Sequence, residues 1–583
     1  MRKLKMAMIR RNLVAAVLFL GCLLPLAAQE KPLNREVTLY NPYKPSLTEA
    51  KKKSYLPEMN DTARFRPEFS YNVTATPFMP EHTISPIKAA ALQPDPLSKL
   101  YRSYVKVGLG NYFSPLGELS ITNERSKNGA AGFYARHYST NGKIKLDHGQ
   151  KVFAGSMDNE MSLFGKRFFR GGVVGGAVNY DQFTRHAYGY DPDPDLLPLY
   201  NPSRKETRLS YSDVGAVLSL ASTTLDSSVF LYDFRLGYDY FFQTRDLYQH
   251  NIALNGVMSR TFRGFYAGAG LDLNYFNTPD SLLVYPKYVV AASPFIKKAT
   301  SQWNFKLGLK AVLERNLEET AKAHLYPDLA FGFSIVPSYL YFFTTLDGRL
   351  EVNDPMSVAR LNPYLIPDGT LFKVPNTNHQ IVATAGLKGN SGIEGNYELS
   401  VKYSLVNDML FFANRLVANN LPGADTIYGN GNYFKFLTDD ADVLQLHGAL
   451  SGKFTDKLSF NSGLNWYRYT LTRLHRPFYR PGWDASVGLS YNLRDKILAG
   501  VQLTALGPRS IGISHEINNV TVLEYEFTPE PWHLNVNLSA EYRYSKILSF
   551  WAKFNSLATD RYYEWAFYPT HRFMFMAGFT YSL

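Results

Sequence analysis

His137 and Ser139 stand two residues apart, so any extended segment places them on one face, and Asn141-Gly142 follows them. A histidine beside a serine is the pairing by which a general base activates a nucleophile. A histidine near a strand end more commonly serves as a girdle or lumen residue, and that reading is preferred. Asp191, Asp193 and Asp195 alternate with Pro192 and Pro194 behind Tyr188-Gly189-Tyr190. Carboxylates so spaced supply oxygens to calcium, but the prolines favour a stiff, solvated loop. Asp439, Asp440 and Asp442 form a weaker carboxylate cluster. Gly108 and Gly110 lie within a strand-like period and open no helix, so they make no nucleotide loop. The 12 histidines are scattered, with no pair at metal-ligand spacing. No phosphate-binding loop, nucleophile elbow or zinc motif is present. No catalytic residue, metal or cofactor is therefore assigned, and the chain reads as a non-enzyme.

The single cysteine, Cys22, sits in an N-terminal apolar run. Arg2, Lys3, Lys5, Arg10 and Arg11 precede that run, and Ala27-Ala28 offers small residues before Gln29. Residues 1–28 therefore read as a secretory signal, with a lipoprotein anchor at Cys22 as the weaker alternative. Removal of the leader leaves no cysteine, which excludes disulfides, thiol catalysis and cysteine-held metals. The leader's five basic residues account for five of the +12 formal charge, leaving +7 over more than 550 residues. Such a mild excess on an exported chain calls for no nucleic-acid partner.

The elements behind these residues show in the composition. Of 583 residues, 15% are aromatic and only 19% charged, against an average charged share of about 25%. Wholesale disorder is excluded. The mean hydropathy is slightly negative, which argues against a helical membrane protein. Residues 29–100 carry ten prolines. Each removes a backbone donor and extends its predecessor, so this segment is expected to lack a core of its own and to stay periplasmic or thread a lumen.

From residue 101 onward the texture alternates with period two. In 229–242, Phe230, Tyr232, Phe234, Leu236, Tyr238, Tyr240 and Phe242 oppose Asp233, Arg235, Gly237 and Asp239. In 302–313, Trp303, Phe305, Leu307 and Leu309 oppose Lys306 and Lys310. In 396–405, Leu399, Val401 and Tyr403 oppose Glu398 and Lys402, and in 533–544, Leu538, Tyr542 and Tyr544 oppose Glu541 and Arg543. Successive strand side chains point to opposite faces. These segments run 10–14 residues, long enough for tilted strands that cross a bilayer and need about 9–11. Short turns such as 455–457, 494–496 and 544–546 contrast with long polar stretches at 190–204, 354–378 and 507–531. Short turns on one side and long loops on the other are the pattern of an outer-membrane barrel. Residues 101–583, at roughly 20–24 per strand and connection, lead to about 22 antiparallel strands within a range of about 20–24. Residues 314–323 have a helix-favouring composition and are expected to cap a loop.

The last strand alternates to the final residue. Phe573, Phe575, Phe579, Tyr581 and Leu583 are expected to face lipid, with Met574, Met576, Gly578, Thr580 and Ser582 between them. This pattern resembles the C-terminal signal read by the barrel-assembly machinery, with Leu583 where Phe is usual and Met576 where a polar residue is preferred. Asp233, Arg235, Asp239, Lys306, Lys310, Glu398, Lys402, Glu541 and Arg543 are expected to face the lumen.

Size, aromatic strands and terminal strand together resemble the barrel of TonB-dependent outer-membrane receptors, over residues 101–583. The resemblance implies a Gram-negative outer membrane, a bilayer partner and solute transport, but without the folded plug that such receptors carry. A fatty-acid-channel-like barrel, with its short N-terminal hatch, is the alternative relative. The His-x-Ser pair resembles that of outer-membrane phospholipases, which place Asn-Gly directly after the serine; here Thr140 intervenes. Three functions follow in order of preference. The first is solute transport. The second is a non-transporting barrel that holds periplasmic or outer-membrane partner proteins through residues 29–100. The third is a lipid-acting hydrolase. A barrel this wide leaks unless filled, so its own tail, inward-folded loops or a partner must occlude it.

Overall fold

The computed structural model describes residues 102–583, apart from 124–125, 148, 190–202, 225–227, 245–246, 279–285, 317–319, 366–368, 393, 418–431, 518–519, 522–525 and 558–561. The signal, the proline-rich segment and the Asp191–Asp193–Asp195 cluster lie outside the described residues.

Twenty-two strands form one closed antiparallel barrel. In chain order they are β1 Ser103–Gly110, β2 Ser114–Thr122, β3 Gly129–Thr140, β4 Ser156–Phe169, β5 Gly172–His186, β6 Arg208–Ser222, β7 Leu231–Gln243 and β8 Tyr248–Phe262. There follow β9 Phe265–Asn277, β10 Lys287–Ala299, β11 Trp303–Arg315, β12 Lys322–Val336, β13 Leu340–Glu351, β14 Thr377–Asn390, β15 Asn396–Val417 and β16 Asn432–Thr455. The circuit ends with β17 Leu458–Leu471, β18 Trp483–Leu493, β19 Ile497–Leu506, β20 His533–Arg543, β21 Leu548–Asn555 and β22 Met574–Ser582. Each strand pairs with the next, and β22 returns to β1 through Tyr104↔Ser582 to Gly110↔Met576. Closure leaves no edge, which a sheet in hydrocarbon requires because no water is there to satisfy an open row of amides. The architecture is that of an outer-membrane barrel.

Alternation sorts the two faces. On β11, Leu307, Leu309 and Leu313 are exposed while Val312, of opposite parity, is buried. Connections sort the two ends. At the end that holds Ser103 and Ser582, every connection is two to eight residues. The other end carries loops of up to 26 residues, among them 187–207, 352–376, 507–532 and 556–573. The loop 352–376 holds one short helix, α1 Pro355–Leu361. Asp354 starts it by accepting bonds from Met356 N and Ser357 N, both at 3.0 Å, and Pro355 gives up no needed donor.

Two expectations are corrected. Residues 314–323 form no helical cap among the described residues: Glu314 and Arg315 end β11, Lys322 and Ala323 begin β12, and Glu314 pairs with Lys322. Ladder pairing outweighs the local helix propensity. The strand expected to end at residue 405 runs on to Val417. A register shift between Val406 and Met409, with Asp408 at φ 52°, breaks the alternation there without ending the strand.

Gly108 and Met576 also find structural reasons. A Cβ on Gly108 would lie 2.4 Å from the Trp551 ring, and one on Gly578 2.7 Å from it. The glycines thus make room for an indole packed with buried Leu116 and Met576. Met576 is apolar at a polar position because its neighbour is Trp551. Lys106 Nζ lies 5.0 Å from the same ring, within cation–π reach.

Candidate functional site

On the polar face several of the charges stand in ion pairs. Arg136 lies 2.9 Å from Glu160 and 3.6 Å from Glu118, so three adjacent strands contribute to one cluster. Lys306 Nζ meets Asp328 at 2.5 Å. Arg235 meets Asp233 at 3.5 Å, and Arg543 meets Glu541 at 3.6 Å. Asp239 accepts from Asn251 at 3.3 Å. Glu398 pairs across the ladder with Lys388 and Ala449, Lys402 with Thr384 and Gln445, and Lys310 with Tyr326. Asp233, Arg235 and Asp239 share parity with Phe241, which belongs to a large buried cluster. The C-terminal strand shows the other kind of face: Phe573, Phe579 and Leu583 are exposed, and Phe575 and Tyr581 are half-buried with the same parity.

That buried cluster is the principal feature invisible in the sequence. It joins Phe183, Leu209, Tyr211 and Phe241 from β5–β7 to Leu410, Phe412, Ala413 and Phe434 from β15 and β16. In a ring of 22 these two groups of strands stand nearly opposite. All of these residues lie near the long-loop ends of their strands. Side chains on opposite walls share a core because the loops cross the mouth between them. Val358, Ala359, Leu365, Leu371, Phe372 and Val374 come from 352–376, Phe478 and Tyr479 from 472–482, and Trp565, Ala566 and Tyr568 from 556–573.

Polar contacts set the loops in place. Tyr211 donates to Pro363 O at 2.9 Å, Tyr188 donates to Pro569 O at 2.9 Å, and Arg360 of α1 pairs with Asp181. Tyr364 stacks on Tyr568 with ring centroids 3.9 Å apart. Asn414 donates to Asn432 at 2.7 Å and accepts from the Tyr479 hydroxyl. Burial pushes the phenols of Tyr364 and Tyr479 upward, so both remain neutral. Asp439 is fully buried; its Oδ2 accepts from Arg473 N at 2.9 Å and Leu474 N at 2.8 Å, and its Oδ1 from Arg473 Nε at 3.3 Å. Its oxygens pin the loop 472–482, which absorbs the carboxylate into architecture.

Both ends of 352–376 are anchored in the wall. Glu314 binds His324 Nε2 at 2.8 Å and Asn376 Nδ2 at 2.7 Å. Lys287 is buried, and its Nζ donates to Asn353 O at 2.9 Å. Asn353 Nδ2 donates to Pro375 O at 2.6 Å. Glu314, Lys287 and Asn353 thus each have partners, as burial demands. Charged residues just past apolar strand segments, here Lys287 and Glu314, were the one available sequence signal. It was too local to reveal the loop they hold.

No protein-family model and no curated protein matches the chain. Solved structures do match its fold. The FrpB iron transporter from Neisseria meningitidis (F3-3 variant) aligns with a TM-score of 0.62 at 9% identity, over 84% of this chain and 82% of that one. The ferripyoverdine receptor of the outer membrane of Pseudomonas aeruginosa aligns with a TM-score of 0.59 at 12% identity, over 83% and 72%. The copper transporter OprC aligns with a TM-score of 0.58 at 13% identity, over 84% and 82%. The chain therefore has the barrel fold of TonB-dependent outer-membrane receptors.

Proposed function

We propose that this chain is an outer-membrane transport barrel for a polar solute, with its mouth gated by its own loops. The observation that carries the reading is the buried cluster joining β5–β7 to β15 and β16 through 352–376. A barrel this wide must be kept from leaking, and these loops are anchored where they close its mouth. The charged and polar side chains of the Phe241-bearing face line the solute path in this reading, and the exposed apolar face meets lipid. The cargoes of the fold neighbours, copper, ferripyoverdine and iron, are the first solutes to try. Transport here does not presuppose a folded plug, and the C-terminal strand serves recognition by the assembly machinery.

The test is conductance. Replacing 355–374 with a short Gly-Ser linker removes α1 and the loop's contribution to the cluster. The purified variant in planar bilayers is expected to conduct more than the full chain. Equal, low conductance in both would remove the loop from the gate and leave residues 29–100 or a partner as the occluding body.

A further inference from the structure

His137 and Ser139 sit near the long-loop end of β3, on the face opposite the Arg136–Glu118–Glu160 cluster. His137 lies across from Gly117 on β2 and Asn159 on β4. The same parity carries the exposed Val107, Ile121, Met161 and Leu163. An otherwise apolar outward surface is therefore interrupted by a polar row, in which His137 is exposed and Ser139 is buried beside it.

The row has one consistent direction of hydrogen bonding. Gln182 Nε2 donates to Ser210 Oγ at 3.3 Å, and Asn159 Nδ2 donates to Gln182 Oε1 at 2.8 Å. That orients Asn159 Oδ1 toward His137 Nδ1, at 2.6 Å. A carbonyl oxygen only accepts, so Nδ1 carries the proton. Nε2 is left with its lone pair, and Ser139 Oγ lies 3.2 Å from it. Nucleophile, base and orienter thus stand in the order that activates a hydroxyl. Gly117 leaves open space beside His137, with no atom within 4 Å of where a Cβ would be. Polar side chains facing hydrocarbon are costly and rarely kept without a use.

We infer that Ser139, His137 and Asn159 form a serine-hydrolase site on the outer surface of the barrel, acting on the acyl esters of membrane lipids. Ser139 is the nucleophile, His137 the general base, and Asn159 a positioning residue. Ser139 Oγ adds to the ester carbonyl carbon while its proton passes to His137 Nε2. Collapse of the adduct breaks the ester C–O bond, and His137 returns the proton to the departing alcohol. Water, deprotonated by His137, then adds to the acyl-serine. Ser139 recovers its proton and a fatty acid leaves, so ester and water become alcohol and acid. The site lies roughly 10 Å or less below the end of β3, at about 3.3 Å per residue, and in this proposal the ester groups of the outer leaflet lie at that height. The inference stands apart from the transport reading, since Ser139, His137 and Asn159 are not among the described residues of the cluster that caps the mouth.

The experiment uses the full chain in phosphatidylethanolamine vesicles and, separately, in vesicles containing lipid A. A long-chain fluorophosphonate is added and the adduct mapped by mass spectrometry, and fatty-acid release is followed. The expected result is an adduct on Ser139 and acid released from one lipid source, which names the substrate. Ser139→Ala should abolish both, and His137→Ala should slow release about 10²–10⁴-fold. Asn159→Ala should lower kcat with KM unchanged, and Asn159→Asp should restore it by accepting the same Nδ1 proton. No adduct on Ser139 in the full chain, or an adduct on a different serine, overturns the inference. That mapping needs no variant, so a misfolded mutant cannot obscure it.

Discussion

Phe579 pairs with Val107 on one side and Phe550 on the other, and all three are exposed. In the proposed orientation this triplet meets acyl chains. Phe579→Arg is expected to cost about 2–4 kcal/mol at the bilayer midplane and less near an interface. Heat-modifiable mobility of the membrane-inserted variant measures it, and wild-type levels would overturn the terminal register. The opposite face is testable in the same way, because residues 29–583 contain no cysteine. Cysteines at Lys306 and Lys402 should react with a water-soluble thiol reagent, and cysteines at Leu307 and Val401 should not. Equal labelling at all four positions would reverse the assignment of inside and outside. Lys306 also shows why exposure alone does not make a binding group: its charge is already held by Asp328.

Loops, more than strands, carry the distinctive chemistry. His571 of the loop 556–573 lies against Gly142 of 141–155 and against Tyr112 of the turn 111–113, its ring centroid 4.2 Å from that of the tyrosine. Burial holds the His571 pKa below its ordinary value of 6.5, and a backbone bond with Ala154 opposes that only in part. A ring freed by loop release binds a proton below that value, while the docked ring resists it. The docked loop therefore has its full stability above the ordinary histidine value and loses it as the pH falls below. The hydrogen-exchange protection of 562–573, taken relative to the intrinsic rate at each pH, should fall between about pH 7.5 and about pH 5. His571→Gln should flatten the dependence; an unchanged slope in that variant would place the sensitivity elsewhere.

For the molecule as a whole, the proposed transport role requires a body that closes the pore. A segment of 20 residues spans up to about 66–72 Å when extended, so 29–100 could cross the lumen or reach a periplasmic partner. If it adds to occlusion, deleting 31–96 should raise bilayer conductance and sensitise cells to large antibiotics. If it serves as a docking strap, the same deletion should leave conductance unchanged and lose a co-purifying protein. Neither effect would reduce it to a linker and leave closure to 352–376 and its neighbours. The two deletions together therefore separate a loop-gated channel from a tail-blocked one.

The period-two alternation was enough to determine the class of fold, because side-chain direction along a strand is a local property of residues i and i+2. Segment length added the membrane, and the contrast between 455–457 or 494–496 and 507–531 added the two ends. Whatever depends on residues far apart in the chain was decided only by tertiary structure. Phe183 and Phe434 share a core because the loops across the mouth bring opposite walls together, and no window of sequence contains both. Glu314 meets Asn376 only because 352–376 folds back. The His-x-Ser pair was visible from the start, but a serine and a histidine on one strand face do not make a relay. Asn159 on the next strand, turned by Gln182 on the one after, sets which imidazole nitrogen is free. Cross-strand register alone determines that arrangement, and register is fixed by the whole closed ladder.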